Sequence, residues 1–280
     1  MSQSPPQVDG ACDHDAAPAA SMAMSAPTSF DEARSIEEAG LNHLQSRRQL
    51  FYDGWLLFLL AGEAKRARSV NPHFGSSLPL PRKIAHCETL YARHGLSTLF
   101  RITPFAQPVE LDAALAARGY LAFDPTFVQI APLDRPTTIA GPPDVQLRAP
   151  LIDAFVEAVG EMRGSPAPQR SAHLERLAQS PLQIHTVVAR VDGRDAGAGL
   201  IAIEGDTAGV FDVVTHHGFA RRGVATAMVA ALVDRAWERG ARRMYLQVSA
   251  SNVPALHLYR RFGFATLYTY HYRARPDECE

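Results

Sequence analysis

Pro132, Pro136, Pro142 and Pro143, with Gly141 among them, crowd into one short stretch near the middle of the chain. Proline fixes φ and lacks a backbone N–H, so a run this dense fits neither a helix nor a central strand. The chain is therefore divided there. A linker over 132–144 separates a first half, 31–131, from a second, 145–276, and 280 residues suit two folded units of about 100–150 residues each. Residues 1–30 are left as a disordered tail. Its first 29 residues contain no Lys or Arg and no sustained apolar run, which is not the pattern of a secretory signal.

Composition narrows the function classes. With 46% apolar and 20% charged residues the halves are globular, and a net charge of -1 excludes a polyelectrolyte partner such as nucleic acid. The densest apolar run, Trp55 to Leu60, falls far short of the ~18 residues of a membrane span. Cys12, Cys87 and Cys279 are odd in number and far apart, so neither a disulfide framework nor a zinc knuckle is expected, and a cytoplasmic protein fits. Cys12 and His14 on the tail read as incidental. Lys65 and Lys83 are the only lysines among 28 basic residues; arginine is also the better phosphate ligand.

The second half has a readable order. Leu151 to Glu161 and Ala172 to Ala178 look helical, and Thr186 to Val191 is a strand. Asp192-Gly193 turns it into a strand near Gly199 to Glu204, and Gly205-Asp206 into another, Gly209 to Thr215. A helix from Val224 to Arg239 is stopped by Gly240; Met244, Leu246 and Val248 alternate as a strand; a last helix ends at Phe262. Such an order gives an α/β (α+β) sheet protein.

Two segments carry chemistry. Val213 to Thr226 joins a strand to a helix start through Ala220-Arg221-Arg222-Gly223-Val224-Ala225, with small residues where backbone amides could approach an anion. It has neither the Gly-Lys-Ser/Thr ending of a triphosphatase loop nor the three glycines of a dinucleotide fingerprint. Taken alone, such a loop is more often a structural turn than a ligand site. The second segment, Asn252 to Phe264, opens with an asparagine cap and a first-turn proline and ends in Gly263-Phe264.

Together the two segments resemble the GCN5-related N-acetyltransferase (GNAT) superfamily. Its loop reads Gln/Arg-x-x-Gly-x-Gly/Ala and its later helix Asn-x-x-Ala-x-x-Leu-Tyr-x-x-x-Gly-Phe. Asn252, Ala255, Leu258, Tyr259, Gly263 and Phe264 match the helix pattern throughout, whereas Ala220 departs from the loop's first position. The resemblance implies acetyl-coenzyme A as co-substrate, bound where two parallel strands splay, and no metal. Val213, Val214 and Thr215 would line the pantetheine arm. Arg221, Arg222, Gly223, Val224, Ala225 and Thr226 would hold the pyrophosphate, with Asn252 at the site's edge. Glutamate at Gly223 is then expected to expel the anion and spare the fold.

By the same resemblance Tyr259 matches the tyrosine that protonates the departing thiolate, a role its pKa of ~10 permits; otherwise its ring is core. An attacking amine must also lose a proton. Asp212, between Phe211 and Val213, is one candidate base and Glu204 the other, unless either is simply ion-paired. His216 and His217 read as loop histidines, since adjacent turn residues diverge and no third ligand is suitably spaced. Tyr268, Tyr270 and Tyr272 fall on one strand face, in an acceptor pocket or in the core.

The first half repeats the second. Gly95 and Gly119 are separated by 24 positions and Gly240 and Gly263 by 23, each pair framing a strand and a helix that ends in Gly-aromatic. The first half thus looks like a degenerate copy of the same fold. Its loop, Asn71 to Pro81, lacks Arg-x-Gly-x-Ala, and Ala116 stands near the tyrosine position. Gly54 to Phe58 and Lys65 to Asn71 would be its central strands, the basic cluster at 65–68 being a solvated face or an acceptor site. The reading is two tandem GNAT-like domains, each a mixed, mostly antiparallel sheet with a splayed parallel strand pair and flanking helices. It makes the protein a monomeric or homodimeric enzyme acting on a small-molecule or peptide amine. The alternative is a non-catalytic acyl-coenzyme A sensor.

Overall fold

The computed structural model describes residues 29–44, 47–60 and 64–279. Cys12, His14 and the rest of the expected tail lie outside them, except that Ser29 and Phe30 already belong to the first helix. The first half runs α1 (Ser29–His43), β1 (Gln49–Tyr52), β2 (Trp55–Phe58), a 3-10 turn (Lys65–Arg68), β3 (Ser69–Asn71), α2 (Leu80–Arg93), β4 (Leu99–Ile102), α3 (Leu111–Ala116) and β5 (Leu121–Pro132). The second runs β6 (Gln146–Arg148), α4 (Ile152–Arg163), α5 (Ala167–Ala178), β7 (Gln183–Val191), β8 (Arg194–Glu204), β9 (Thr207–Thr215), α6 (Val224–Glu238), β10 (Arg243–Ser249), α7 (Val253–Arg261) and β11 (Ala265–Ala274).

Several boundaries differ from the sequence reading: α5 starts at Ala167, β7 at Gln183 and β8 at Arg194, each earlier than the sequence pattern indicates. Lys65–Arg68 is a 3-10 turn and only Ser69–Asn71 is strand. Three basic residues in four leave no apolar face to bury in a sheet. Pro132 still belongs to β5, opposite Arg243 at the strand's end, where the missing N–H breaks no ladder. The irregular linker therefore starts at Leu133.

The helix ends repeat between the halves. Leu96 N–H bonds Tyr91 O after α2, Tyr120 bonds Leu115 O after α3, Ala241 bonds Ala236 O after α6 and Phe264 bonds Tyr259 O after α7. In each case the intervening glycine is left-handed. This six-to-one bond satisfies carbonyls that a helix end leaves open, and it explains why the same Gly spacing recurs.

The described strands form one eleven-stranded sheet, ordered β1-β2-β3-β4-β11-β5-β10-β9-β8-β7-β6. Each half contains one parallel pair, β3 with β4 and β9 with β10, and is otherwise antiparallel. The last strands cross over. β5 of the first half pairs with β10 of the second, β11 of the second pairs with β4 of the first, and β5 and β11 pair with each other. The covalent division at the prolines is therefore not a division of the sheet.

Helices α6 and α7 pack on one face of the second half, with Met228, Leu232, Met244 and Leu246 in their core. Helices α1 and α4 cover the other face, over Val188, Leu200 and Phe211. Tyr268, Tyr270 and Tyr272 all lie in this second cluster. Between the halves, buried Glu37 of α1 forms a two-pronged ion pair with Arg101 of β4 and accepts from Tyr268 Oη at 2.6 Å, while Tyr270 lies under the Arg101 guanidinium at 3.9 Å. Glu37 thus ties α1, β4 and β11 together. Burial raises its carboxyl's pKa, but Arg101 and Tyr268 overcome that and leave it below the usual range.

The linker packs along α6. Thr137 N–H donates to Asp234 at 2.9 Å, and Pro142 rests against Gly223.

Candidate active site

The site begins with a bulge. β8 pairs Leu200 with Phe211 and Ala198 with Val214, so β9 carries one residue more than its partner over this interval. Asp212, with φ 54°, absorbs it. At the bulge β9 has already left β10, since their parallel register ends at Val210 opposite Leu246. The two strands splay around a cleft of about 710 Å³.

The loop after β9 closes one end of this cleft. Arg221 (φ 62°) and Gly223 (φ 74°) are both left-handed. The first bond of α6 runs from Ala227 N–H to Gly223 O, at 3.0 Å. The N–H groups of Val224, Ala225 and Thr226 therefore have no partner within the helix, and all three residues line the cleft. Free amides at the positive end of a fifteen-residue helix suit an anion such as pyrophosphate. A Cβ at Gly223 would stand 2.5 Å from Pro142 Cγ and 2.8 Å from Cδ. Any side chain there meets the linker ring first, so the expectation that glutamate would spare the fold is corrected.

Nine of the twelve residues singled out from the sequence line the cleft: Val213, Thr215, Arg221, Gly223, Val224, Ala225, Thr226, Asn252 and Tyr259. Asn252 also caps α7, its Oδ1 accepting from Ala255 N–H at 3.2 Å. Tyr259 is 7% exposed, its ring edge-to-face with Phe264, and burial pushes its phenol up to about 12. A phenol so shifted stays protonated throughout the neutral range and can serve as a proton donor.

Three lie elsewhere. Val214 packs its side chain on the opposite face of β9. Arg222 is turned away from the cleft and ion-paired with Asp144 of the linker and Asp192, both exposed and both at 3.2 Å. Asp212 projects into a second pocket across β9 from the cleft. There it meets His173 Nε2 at 2.9 Å, Arg163 at 3.0 Å and Arg176 at 4.0 Å. Burial raises its pKa, but the hydrogen bond to His173 and the charges of Arg163 and Arg176 prevail and hold it well below the usual range. Glu204, the other candidate base, accepts from Asn42 at 2.9 and 3.1 Å at the end of β8 and lines neither pocket. His216 Nδ1 accepts from Gly218 N–H, and its ring stacks on His217.

The sequence reading missed Arg261, His257 and Gln247, all of which line the cleft. For Arg261 the signal was present. Pro254, His257, Leu258 and Arg261 follow the i, i+3, i+4, i+7 spacing of one helix face, and all four face the cleft. His173 on α5 carried no such signal.

The loop before α2 in the first half is closed by the chain itself. In the loop before α2 the Asp53 carboxylate accepts from Ser77 N–H at 3.0 Å, Leu78 N–H at 2.8 Å and Ser77 Oγ at 2.8 Å. The Lys83 ammonium sits 3.3 Å from the same carboxylate. The bonds from Ser77 and Leu78 hold Asp53 far below the usual carboxylate range. Amides that could cradle a phosphate are already occupied.

Comparison with known proteins matches residues 152–264 to the family described as Acetyltransferase (GNAT) family. An uncharacterized N-acetyltransferase of Bacillus subtilis (strain 168), YobR, is 26% identical over 255 residues, covering 88% of this chain and 100% of its own. Among solved structures, a GCN5-related N-acetyltransferase from Kribbella flavida superposes with a TM-score of 0.64 at 18% identity, over 87% of this chain and 95% of its own. A tandem GNAT protein from the clavulanic acid biosynthesis pathway gives 0.56 at 18% identity, over 73% and 74%. At these identities the two structures speak to the fold.

Proposed function

We propose, on the match of residues 152–264 to the acetyltransferase (GNAT) family, that the chain is an acetyl-coenzyme A-dependent enzyme that acetylates a primary amine. The observation that carries this reading is the bulged, splayed end of β9 running into a loop whose amides are free. The second half holds the catalytic cleft, and the first is a degenerate copy whose anion cradle is closed by Asp53.

In this reading the amides of Val224, Ala225 and Thr226, with Arg221 and Arg261, hold the pyrophosphate. Val213 and Thr215 guide the pantetheine arm, and a backbone N–H of β9 beyond the bulge polarises the thioester carbonyl. The amine nitrogen attacks the carbonyl carbon, the C–S bond breaks, and Tyr259 Oη gives its proton to the thiolate. Asp212, locked as an anion, is a poor base by itself. It serves as a positioning residue for His173, whose Nε2 it holds so that the other ring nitrogen can take the proton lost by the amine.

Titration with acetyl-coenzyme A, followed by a thiol-release assay over an amine panel, tests the proposal. Binding and release are expected, and Tyr259→Phe should lower kcat about 100- to 10,000-fold without weakening coenzyme A binding. Binding without release from any amine would favour a sensor. Absence of binding, or full activity in Tyr259→Phe, would overturn the cleft assignment or the acid role respectively.

A further inference from the structure

The pocket across β9 from the cleft, about 100 Å³ in volume, has no role in the reading above beyond Asp212 and His173. Phe211 belongs to both cavities and marks the point where β9 parts from β10. The pocket is thus next to the place where an amine would meet the thioester. Its walls come from both halves of the chain. His43 at the end of α1 and Arg66 of the 3-10 turn face Arg163 of α4 and Arg170, His173 and Arg176 of α5.

The charges do not balance. Arg170 is satisfied by Glu157 at 2.8 Å, and Arg163, His173 and Arg176 share the single carboxylate of Asp212. Arg66 has no acidic partner among the described residues; its guanidinium lies 5.9 Å from the Phe211 ring centroid. Four arginines therefore meet two acids.

The hydrogen bonds do not close either. His43 is 2% exposed and stacks on Phe211 with ring centroids 3.6 Å apart. Burial and the neighbouring Arg176 keep it neutral. Arg176 Nη1 donates to its Nε2 at 3.1 Å, so the ring proton must sit on Nδ1. That Nδ1–H, and Arg66 Nη1, are buried without a partner among the described residues. Both orphaned groups are donors, and buried donors are rarely left unpaired. The missing element is an acceptor oxygen with negative charge.

We propose that this pocket takes an anionic oxygen group of the acceptor, a carboxylate or a phosphate, held by Arg66 and His43. The substrate is then a primary amine that is also an acid, of the amino-acid or phosphoamine kind. The inference rests on the reading of the cleft as the acetyl-coenzyme A site. It gives the first half a task, because His43 and Arg66 both come from it. It also gives a task to Arg66, the member of the basic cluster at 65–68 that turns into the pocket. Polycationic amines would face uncompensated arginine and are excluded.

The test uses the full chain, with coenzyme A binding measured by calorimetry and turnover by thiol release. Acceptors are offered in matched pairs: α-amino acids against their amides, and phosphoethanolamine against ethanolamine. The acidic member should be favoured about 10- to 100-fold in kcat/KM, and which pair shows it distinguishes carboxylate from phosphate. Arg66→Gln should raise KM for that acceptor by a similar factor and leave the coenzyme A dissociation constant unchanged. Equal use of both members of each pair, preference for polyamines, or an unchanged KM in Arg66→Gln would overturn the proposal while coenzyme A still binds. Failure of the parent protein to bind coenzyme A would overturn it together with the reading beneath it. The paired comparison on the parent protein holds even where the variant is poorly folded.

Discussion

Replacing Gly223 by alanine tests how the anion loop is held. The residue has φ 74°, and an L-residue in the left-handed region costs about 1–2 kcal/mol. The new Cβ would also lie 2.5 Å from Pro142 Cγ and 2.8 Å from Cδ, so loop or linker must move. Overpacking of this kind costs roughly 1–3 kcal/mol, which brings the total to about 2–5 kcal/mol. Pro142→Ala removes both colliding atoms and leaves only Cβ, 4.0 Å away. A double-mutant cycle in urea should therefore return about 1–3 kcal/mol of coupling, with the backbone share of the loss remaining. Coenzyme A affinity, measured on the same four proteins, should fall in Gly223→Ala and recover in the double variant as the amides return to place. A Gly223→Ala protein as stable as the parent, or a cycle with no coupling, would refute the account of this loop.

Other outcomes follow from the ion pairs. Glu37→Gln leaves the Arg101 guanidinium buried without a counter-charge, and thermal or urea unfolding should show a loss of about 3–5 kcal/mol. Asp212 has a folded pKa depressed below its unfolded value. Its contribution is therefore complete above about pH 4 and is lost as pH falls through the folded value. Acid unfolding of Asp212→Asn should lack that component; an unchanged acid profile would speak against the pairing with His173. Arg221→Gln should weaken coenzyme A binding by about 1 kcal/mol, less at high salt, because Arg221 faces the cleft across solvent. Arg222→Gln should leave it unaltered, since that side chain is turned to Asp144 and Asp192.

Features set within a few residues were legible in the amino-acid order. Asn252 caps α7 and Gly240 and Gly263 end α6 and α7 because each requirement, an acceptor for a free amide or a left-handed residue, acts over one helical turn. The loop from Arg221 to Thr226 and the repeated helix ends of the two halves belong to the same class. Arg261 was within reach by helix periodicity.

What needed the tertiary structure was the meeting of residues far apart in the chain. Tyr268 and Glu37 are 231 positions apart, and Arg176 and His43 are 133 apart. Nothing local dictates that β5 should lie against β10 and β11 against β4, because a strand edge presents the same amides and carbonyls to any partner. The fate of the charges is likewise set by contacts away from their own helix turn or strand. Asp53 fills the first half's loop, Asp212 turns from the cleft to His173, and Arg222 is spent on the linker while Arg66 is left without an acid among the described residues. The sequence by itself determined which local motifs form, including a strand that runs through a glycine-bearing loop into a helix N-terminus. Which side chains are neutralised, and which still await a ligand, was decided by tertiary packing, because an ion pair forms only where the folded chain brings its two charges together.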